Sequence, residues 1–265
     1  MSTQRTQGSQ DADDELWVRR FHPAPEKPVR LVCLPHAGGS ASFFFPFSAA
    51  LAPHADVLAI QYPGRQDRRG EPLLGTVQEL TDAVLEALRP WHDRPLVFFG
   101  HSMGAVLSFE LARRFEREGA PVQGLIASGR RAPTVHREEN VHQRGDDALI
   151  AEIRALSGTD TGLLADEELL RMVLPAIRSD YKAIETYRYR PDGTQPPLTS
   201  PVSVLTGESD PRVSIPEAQA WQELSSGKFT FRSFPGGHFY LTPRQAEVTR
   251  AVAEDLAAFA RVPAN

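Results

Sequence analysis

The sequence predicts an α/β fold: a mostly parallel central sheet with helices on both faces. Three observations predict it. Short, continuously apolar runs alternate with helical patterns along one chain, the rhythm of a parallel sheet buried on both sides. Each apolar run ends in a Pro- or Gly-rich loop. One of those loops, Gly100-His101-Ser102-Met103-Gly104, fits Gly-x-Ser-x-Gly and joins an apolar run to a helical pattern. With 19 Gly in 265 residues such a pattern can arise by chance, so its surroundings must decide its meaning.

Residues 1–15 are polar, with no apolar core suited to a signal peptide, and are expected to be a disordered lead. Leu16 to Phe21 reads as a short edge strand. Val29 to Leu34 is a buried strand ending at Pro35, and Ser40 is placed to cap the helix that follows. Asp56 to Ile60 is the next buried strand, closed by Tyr62-Pro63-Gly64-Arg65. From Thr76 to Arg89, Val77, Leu80, Val84, Leu85 and Leu88 share one helical face, and Thr76 with Glu79 forms a capping box. Leu96 to Phe99 is the strand before the serine. A helix follows through Met103, Val106, Leu107, Leu111 and Phe115, and Gly119 ends it. Gly124 to Ala127 is another strand.

The alternation then breaks. Roughly seventy residues precede the next clear strand, Val202 to Leu205, far more than an ordinary connection needs. Two helical stretches lie in this insertion, at 146–156 and 166–187, and Pro175 is expected to break or kink the second. A helix near Pro216 to Leu224, a strand at Phe229 to Phe234 and a final helix complete the pattern. No repeat or second domain is visible. The organisation expected is one domain over 16–265 with an insertion at about 132–200.

Composition excludes several classes. Net charge is −5, which argues against nucleic-acid binding, and no apolar stretch is long enough to span a membrane. Cys33 is the only cysteine; it cannot form an intrachain disulfide and sits in an apolar run as an inert thiol. The scattered histidines match no metal site, and no Gly loop precedes a Lys-Ser or Lys-Thr pair. No cofactor or metal is expected, and the cytoplasm is the default location.

The chemistry converges on Ser102. A serine hydroxyl needs a base within hydrogen-bond reach. Among eight histidines, His238 lies just past the last strand, in Pro235-Gly236-Gly237-His238-Phe239, where the glycines give a mobile turn able to aim the ring. His101 adjoins the serine but is directed elsewhere by the turn. His136 and His142 follow no strand, and His22, His54 and His92 occupy loop or polar settings. The base needs an acid to fix its tautomer. Asp210 follows the strand ending at Gly207, with Glu208 as runner-up. The loop after Ala127 carries Arg130 and Arg131 but no acid until Glu138, so it offers no earlier acid. The order Ser102, Asp210, His238 is that of an α/β-hydrolase. Oxyanion donors are expected from the N–H of Met103 and from the loop Pro35 to Gly39, with Ala37 preferred and Gly38 open.

Five stretches together resemble type II thioesterases, stand-alone α/β-hydrolases that accompany modular polyketide and non-ribosomal peptide synthases. They are Pro35 to Ser40, Gln61 to Arg65, Gly100 to Gly104, Thr206 to Asp210 and Gly236 to Phe239. The resemblance implies an acyl thioester on the phosphopantetheine arm of an acyl carrier protein domain as substrate. It implies removal of aberrant or stalled acyl groups as the role. The insertion would then be a lid over an acyl chamber walled by Met103, Phe43, Phe44, Phe45, Leu170, Val173 and Ile177. Arg65, Arg68, Arg69, Arg130 and Arg131 could meet an acidic carrier. A monomer is expected, without nucleic-acid or membrane partners. Three other readings stay open: an esterase or acyltransferase on small oxygen esters, a non-catalytic binding protein on the same fold, and a chain-releasing cyclase.

Overall fold

In the computed structural model, residues 16–157, 167–190 and 197–261 are described. The expected lead, 1–15, lies outside them. Seven strands form one sheet in the order β1-β3-β2-β4-β5-β6-β7. They are β1 (Val18–Arg19), β2 (Arg30–Leu34), β3 (Asp56–Ile60), β4 (Leu96–His101), β5 (Gly124–Ser128), β6 (Val202–Gly207) and β7 (Phe229–Phe234). Only β1 runs antiparallel, on the edge beside β3; every other pairing is parallel. The α/β-hydrolase architecture expected from the sequence is the one found.

Seven α-helices are described: α1 (Phe45–Leu51), α2 (Val77–Leu88), α3 (Met103–Arg117), α4 (Asp146–Ser157), α5 (Glu167–Thr186), α6 (Ile215–Gln219) and α7 (Gln245–Phe259). The central strands are buried along their whole length, which explains their unbroken apolar runs. Alternate residues still divide between two cores, because side chains on a strand point to opposite faces. Val32, Leu34, Leu58 and Phe98 pack with α2 and α3. Leu31, Cys33, Val57 and Phe99 pack with α1 and α7.

The insertion between β5 and β6 builds a small core of its own from Val141, Leu149, Ile150, Leu170, Leu174 and Ile177. Further along α5, Ala183 and Ile184 join the main core. That double anchorage bears on Pro175, expected to break or kink this helix: of the two, a break does not occur, and α5 continues through the proline. The lost backbone hydrogen bond is outweighed by an apolar face packed on both sides of the proline.

Two caps separate cleanly. Thr76 caps α2 as expected, accepting the Glu79 N–H at 3.1 Å. Ser40 does not cap the turn after it; its hydroxyl meets Ser42 at 2.8 Å. The Ala41 N–H at that turn donates instead to the Gln61 side chain at 2.7 Å.

Candidate active site

The strand order reverses at β2, which has β3 on one side and β4 on the other. In open parallel sheets a crevice forms at such a reversal, beyond the carboxyl ends of the strands. Leu34 at the end of β2 pairs with Gly100 near the end of β4, so the loop after β2 lies beside Ser102.

Ser102 stands between β4 and α3 with φ 55° and ψ −112°. This is a region that serine rarely adopts, and the surroundings must hold it there. Both flanking glycines are required by contact. A Cβ on Gly100 would overlap the carbonyl of Gly104, and one on Gly104 would overlap the carbonyl of Leu34. The Ser102 N–H is held by the Ser128 carbonyl at 2.8 Å, tying the turn to β5. Met103 opens α3, so its N–H has no intrahelical acceptor.

His238 follows β7 and Asp210 follows β6. The His238 Nδ1 and the Asp210 Oδ2 are 2.8 Å apart, with both side chains almost fully buried. The other Asp210 oxygen accepts the Arg212 N–H at 2.8 Å. Glu208 is exposed, and its side chain reaches only Ser233 at 3.5 Å. The turn before His238 is tied to the loop after β6. Glu208 N–H donates to Phe234 at 2.9 Å, and Ser209 N–H to Gly236 at 2.9 Å. Gly207 permits this approach, since a Cβ there would overlap the Gly237 carbonyl.

His101 does point away from the serine. Its Nδ1 lies 3.0 Å from the Ser128 hydroxyl, itself 2.7 Å from that of Tyr240. Its ring supports His238, with centroids 5.1 Å apart. His36 packs edge-on against Phe43 and Phe239. Burial, with help from His238 and Arg65, lowers the His36 pKa to about 3. Burial likewise puts His101 well below its ordinary value, again with His238 adding to it. Both rings are therefore neutral near pH 7.

One contact was not foreseen. The Gly38 N–H donates to Asp180 Oδ2, on α5, at 2.7 Å. Arg65 pairs with the same oxygen and also donates to the Pro63 carbonyl at 2.6 Å. Asp180 thus ties the insertion, the loop after β3 and the loop after β2 together. It also occupies the Gly38 N–H, while His36, Ala37 and Gly38 all line the site. The sequence signal was an acid on the apolar stripe of α5, three residues past Ile177.

The site opens into a cavity of about 480 Å³ whose wall includes Ser102, His238, Ala37, Phe43, Leu170 and Ile177. Phe44, Phe45, Met103 and Val173 are not in that wall. Phe44 is fully buried under the sheet against Phe47 and Phe99. Phe45 is half exposed beside Phe21 and His22. The Met103 side chain packs into the main core, and Val173 packs on the insertion's own cluster. Arg130, Tyr181, Ile184 and Phe239 join the wall instead.

The proposed carrier-facing arginines are mostly internal. Arg65, Arg68 and Arg131 are buried and paired, with Asp180, Glu71 and Glu139 respectively. Arg130 lines the cavity, and Arg69 alone of the five is exposed. Among the described residues, no group of three or more His, Cys, Asp or Glu side chains can hold a metal. No helix among them is long and apolar enough to cross a membrane.

The thioesterase domain family model matches residues 29–259. The chain belongs to the thioesterase family. Thioesterase PikA5 of Streptomyces venezuelae is 52% identical over 248 residues, which cover 93% of this thioesterase and 87% of that protein. A probable cadicidin biosynthesis thioesterase of Streptomyces griseus is 52% identical over 92% of this chain and 68% of its own. Among solved structures, the type II thioesterase BorB from the borrelidin biosynthetic cluster superposes with a TM-score of 0.86. It is 50% identical, over 91% of this thioesterase and 98% of BorB. The resemblance read from the five motifs therefore holds, and it spans the insertion as well as the sheet.

Proposed function

We propose that this thioesterase hydrolyses acyl groups held as thioesters on the phosphopantetheine arm of carrier domains, clearing aberrant or stalled chains from a polyketide or non-ribosomal peptide synthase. One observation carries the reading: the strained Ser102 faces the same apolar cavity as His238, whose Nδ1 is engaged by the buried Asp210. The engaged Nδ1 leaves Nε2 as the basic nitrogen for the serine.

Ser102 Oγ attacks the thioester carbonyl while His238 Nε2 takes its proton. The oxyanion accepts from the N–H groups of Met103 and Ala37. The carbon–sulfur bond breaks, and His238 returns the proton to the departing thiolate. Water then attacks the acyl-enzyme with His238 as base again, releasing the carboxylic acid and free Ser102. Asp210 fixes the ring and stabilises the imidazolium. The helical insertion acts as the lid, and Leu170 and Ile177 from α5 with Phe43 hold the acyl chain.

The identity of the relatives and the apolar cavity support a thioester of a carrier arm over a small oxygen ester. Hydrolysis of an acyl-carrier-protein thioester is expected to exceed that of the matched oxygen ester by orders of magnitude in kcat/KM. Equal or better use of the oxygen ester would overturn the reading.

A further inference from the structure

The cavity wall is chemically mixed. Phe43, Leu170, Ile177 and Phe239 make it apolar in part, and Arg130, Glu139, Glu185 and Arg212 add charge. Nearly all of that charge is already matched. Glu139 accepts from Arg131 at 2.6 Å and from Arg212 at 2.8 Å. Arg212 also pairs with Glu152. Glu185 accepts the N–H groups of Val141 at 2.9 Å and His142 at 3.0 Å, and meets the His142 ring.

Arg130 is the exception. No hydrogen bond or ion pair engages its guanidinium among the described residues. Its backbone is nonetheless held, because the Trp221 indole donates to the Arg130 carbonyl at 2.8 Å. Burial, reinforced by the like charge of Arg131, lowers its pKa to about 9, so it stays a cation at neutral pH. A guanidinium carries five N–H donors, and those of Arg130 are open to an acceptor that enters the cavity.

Its position is beside the chemistry. Ser102 N–H bonds to the carbonyl of Ser128, and Arg130 leaves the sheet two residues after Ser128. Arg130 lines the same cavity as Ser102 and His238. The charges around it decide what it can bind. Among the charged residues of the wall, Arg130 and Arg212 stand against Glu139 and Glu185, so the wall holds no excess positive charge to retain a free carboxylate. A neutral oxygen acceptor suits it better.

We propose that Arg130 is a specificity-determining residue that selects acyl groups carrying a hydroxyl or keto oxygen close to the thioester carbonyl. The proposal rests on reading the cavity as the acyl chamber of a thioesterase. The first carbons of the bound chain lie beside Arg130, and the remainder runs along Phe43, Leu170 and Ile177.

The test compares butyryl, 3-hydroxybutyryl and malonyl thioesters of one carrier protein, on the wild type and on Arg130→Met and Arg130→Lys. A hydrogen bond from a charged donor corresponds to about 10- to 100-fold in kcat/KM. The wild type should favour 3-hydroxybutyryl over butyryl by about that factor. Arg130→Met should collapse the ratio toward one, and Arg130→Lys, which keeps a donor, should retain part of it. An unchanged ratio in Arg130→Met overturns the proposal, as does malonyl suffering the largest loss. Should Arg130→Met fail to fold, the Lys variant and the wild-type ratio still decide. Failure to hydrolyse any of the three thioesters would instead refute the thioesterase reading itself. Binding of 3-hydroxybutyryl- against butyryl-pantetheine amides, which cannot turn over, then tests Arg130 separately.

Discussion

Asp180→Ala removes the carboxylate that joins α5 to two loops of the sheet. The Asp180 side chain is fully buried and that of Arg65 is only 4% exposed, so the substitution strands a guanidinium with the Pro63 carbonyl as its hydrogen-bond acceptor. It also frees the Gly38 N–H. Breaking a buried ion pair by removing one partner typically costs about 3–5 kcal/mol. For a chain of this size that corresponds to a fall in Tm of roughly 6–20 °C. Arg65→Met alone should be destabilising too, since it leaves the Asp180 charge buried. The double variant Arg65→Met/Asp180→Ala should recover a large part of the loss, because no stranded charge remains. Urea unfolding of the four proteins gives the coupling energy directly. A single-variant cost below about 0.5 kcal/mol, or strict additivity in the cycle, would refute the reasoning.

The remaining predictions concern the site itself. Asp210→Asn should lower kcat by up to about 10⁴-fold, because the ring loses its tautomer while keeping its place; Glu208→Gln should leave it within about twofold, and the reverse ranking would move the acid to Glu208. His36 has a folded pKa of about 3 against an ordinary 6.5, so between those values the unfolded chain binds more protons. Stability should therefore fall with falling pH through that window, by about 1.4 kcal/mol per pH unit for this one ring. His36→Asn should flatten that dependence in urea titrations between pH 4 and 6; parallel slopes for the two proteins would contradict it.

What could be read from the sequence was local and periodic. Gly100 and Gly104 are legible because only glycine tolerates a backbone carbonyl at their Cβ position. The strand ends before Ser102, Asp210 and His238 are legible because buried strands read as apolar runs. What could not be read depended on how side chains find distant partners. Phe43, Phe44 and Phe45 are consecutive, yet one faces the cavity, one the core and one the surface. They fall at the junction of a 3₁₀ turn and α1, where neither helical period holds. Arg65, Arg68 and Arg131 looked like a surface patch because sequence does not reveal their acidic partners. Asp180 lies 142 residues from Gly38, too far for any local pattern to join them. Pro175 shows the limit of a local rule: packing on both sides of it keeps α5 continuous.

The claim that Ser102 carries the acyl group is open to direct measurement. The protein is mixed with an acyl-carrier-protein thioester, quenched in acid within milliseconds, digested and examined by mass spectrometry. The account predicts the acyl mass on the peptide containing Ser102. It also predicts that Ser102→Ala forms no adduct and loses about 10⁴-fold or more in turnover. An adduct on another residue, or near-normal turnover by Ser102→Ala, would contradict it.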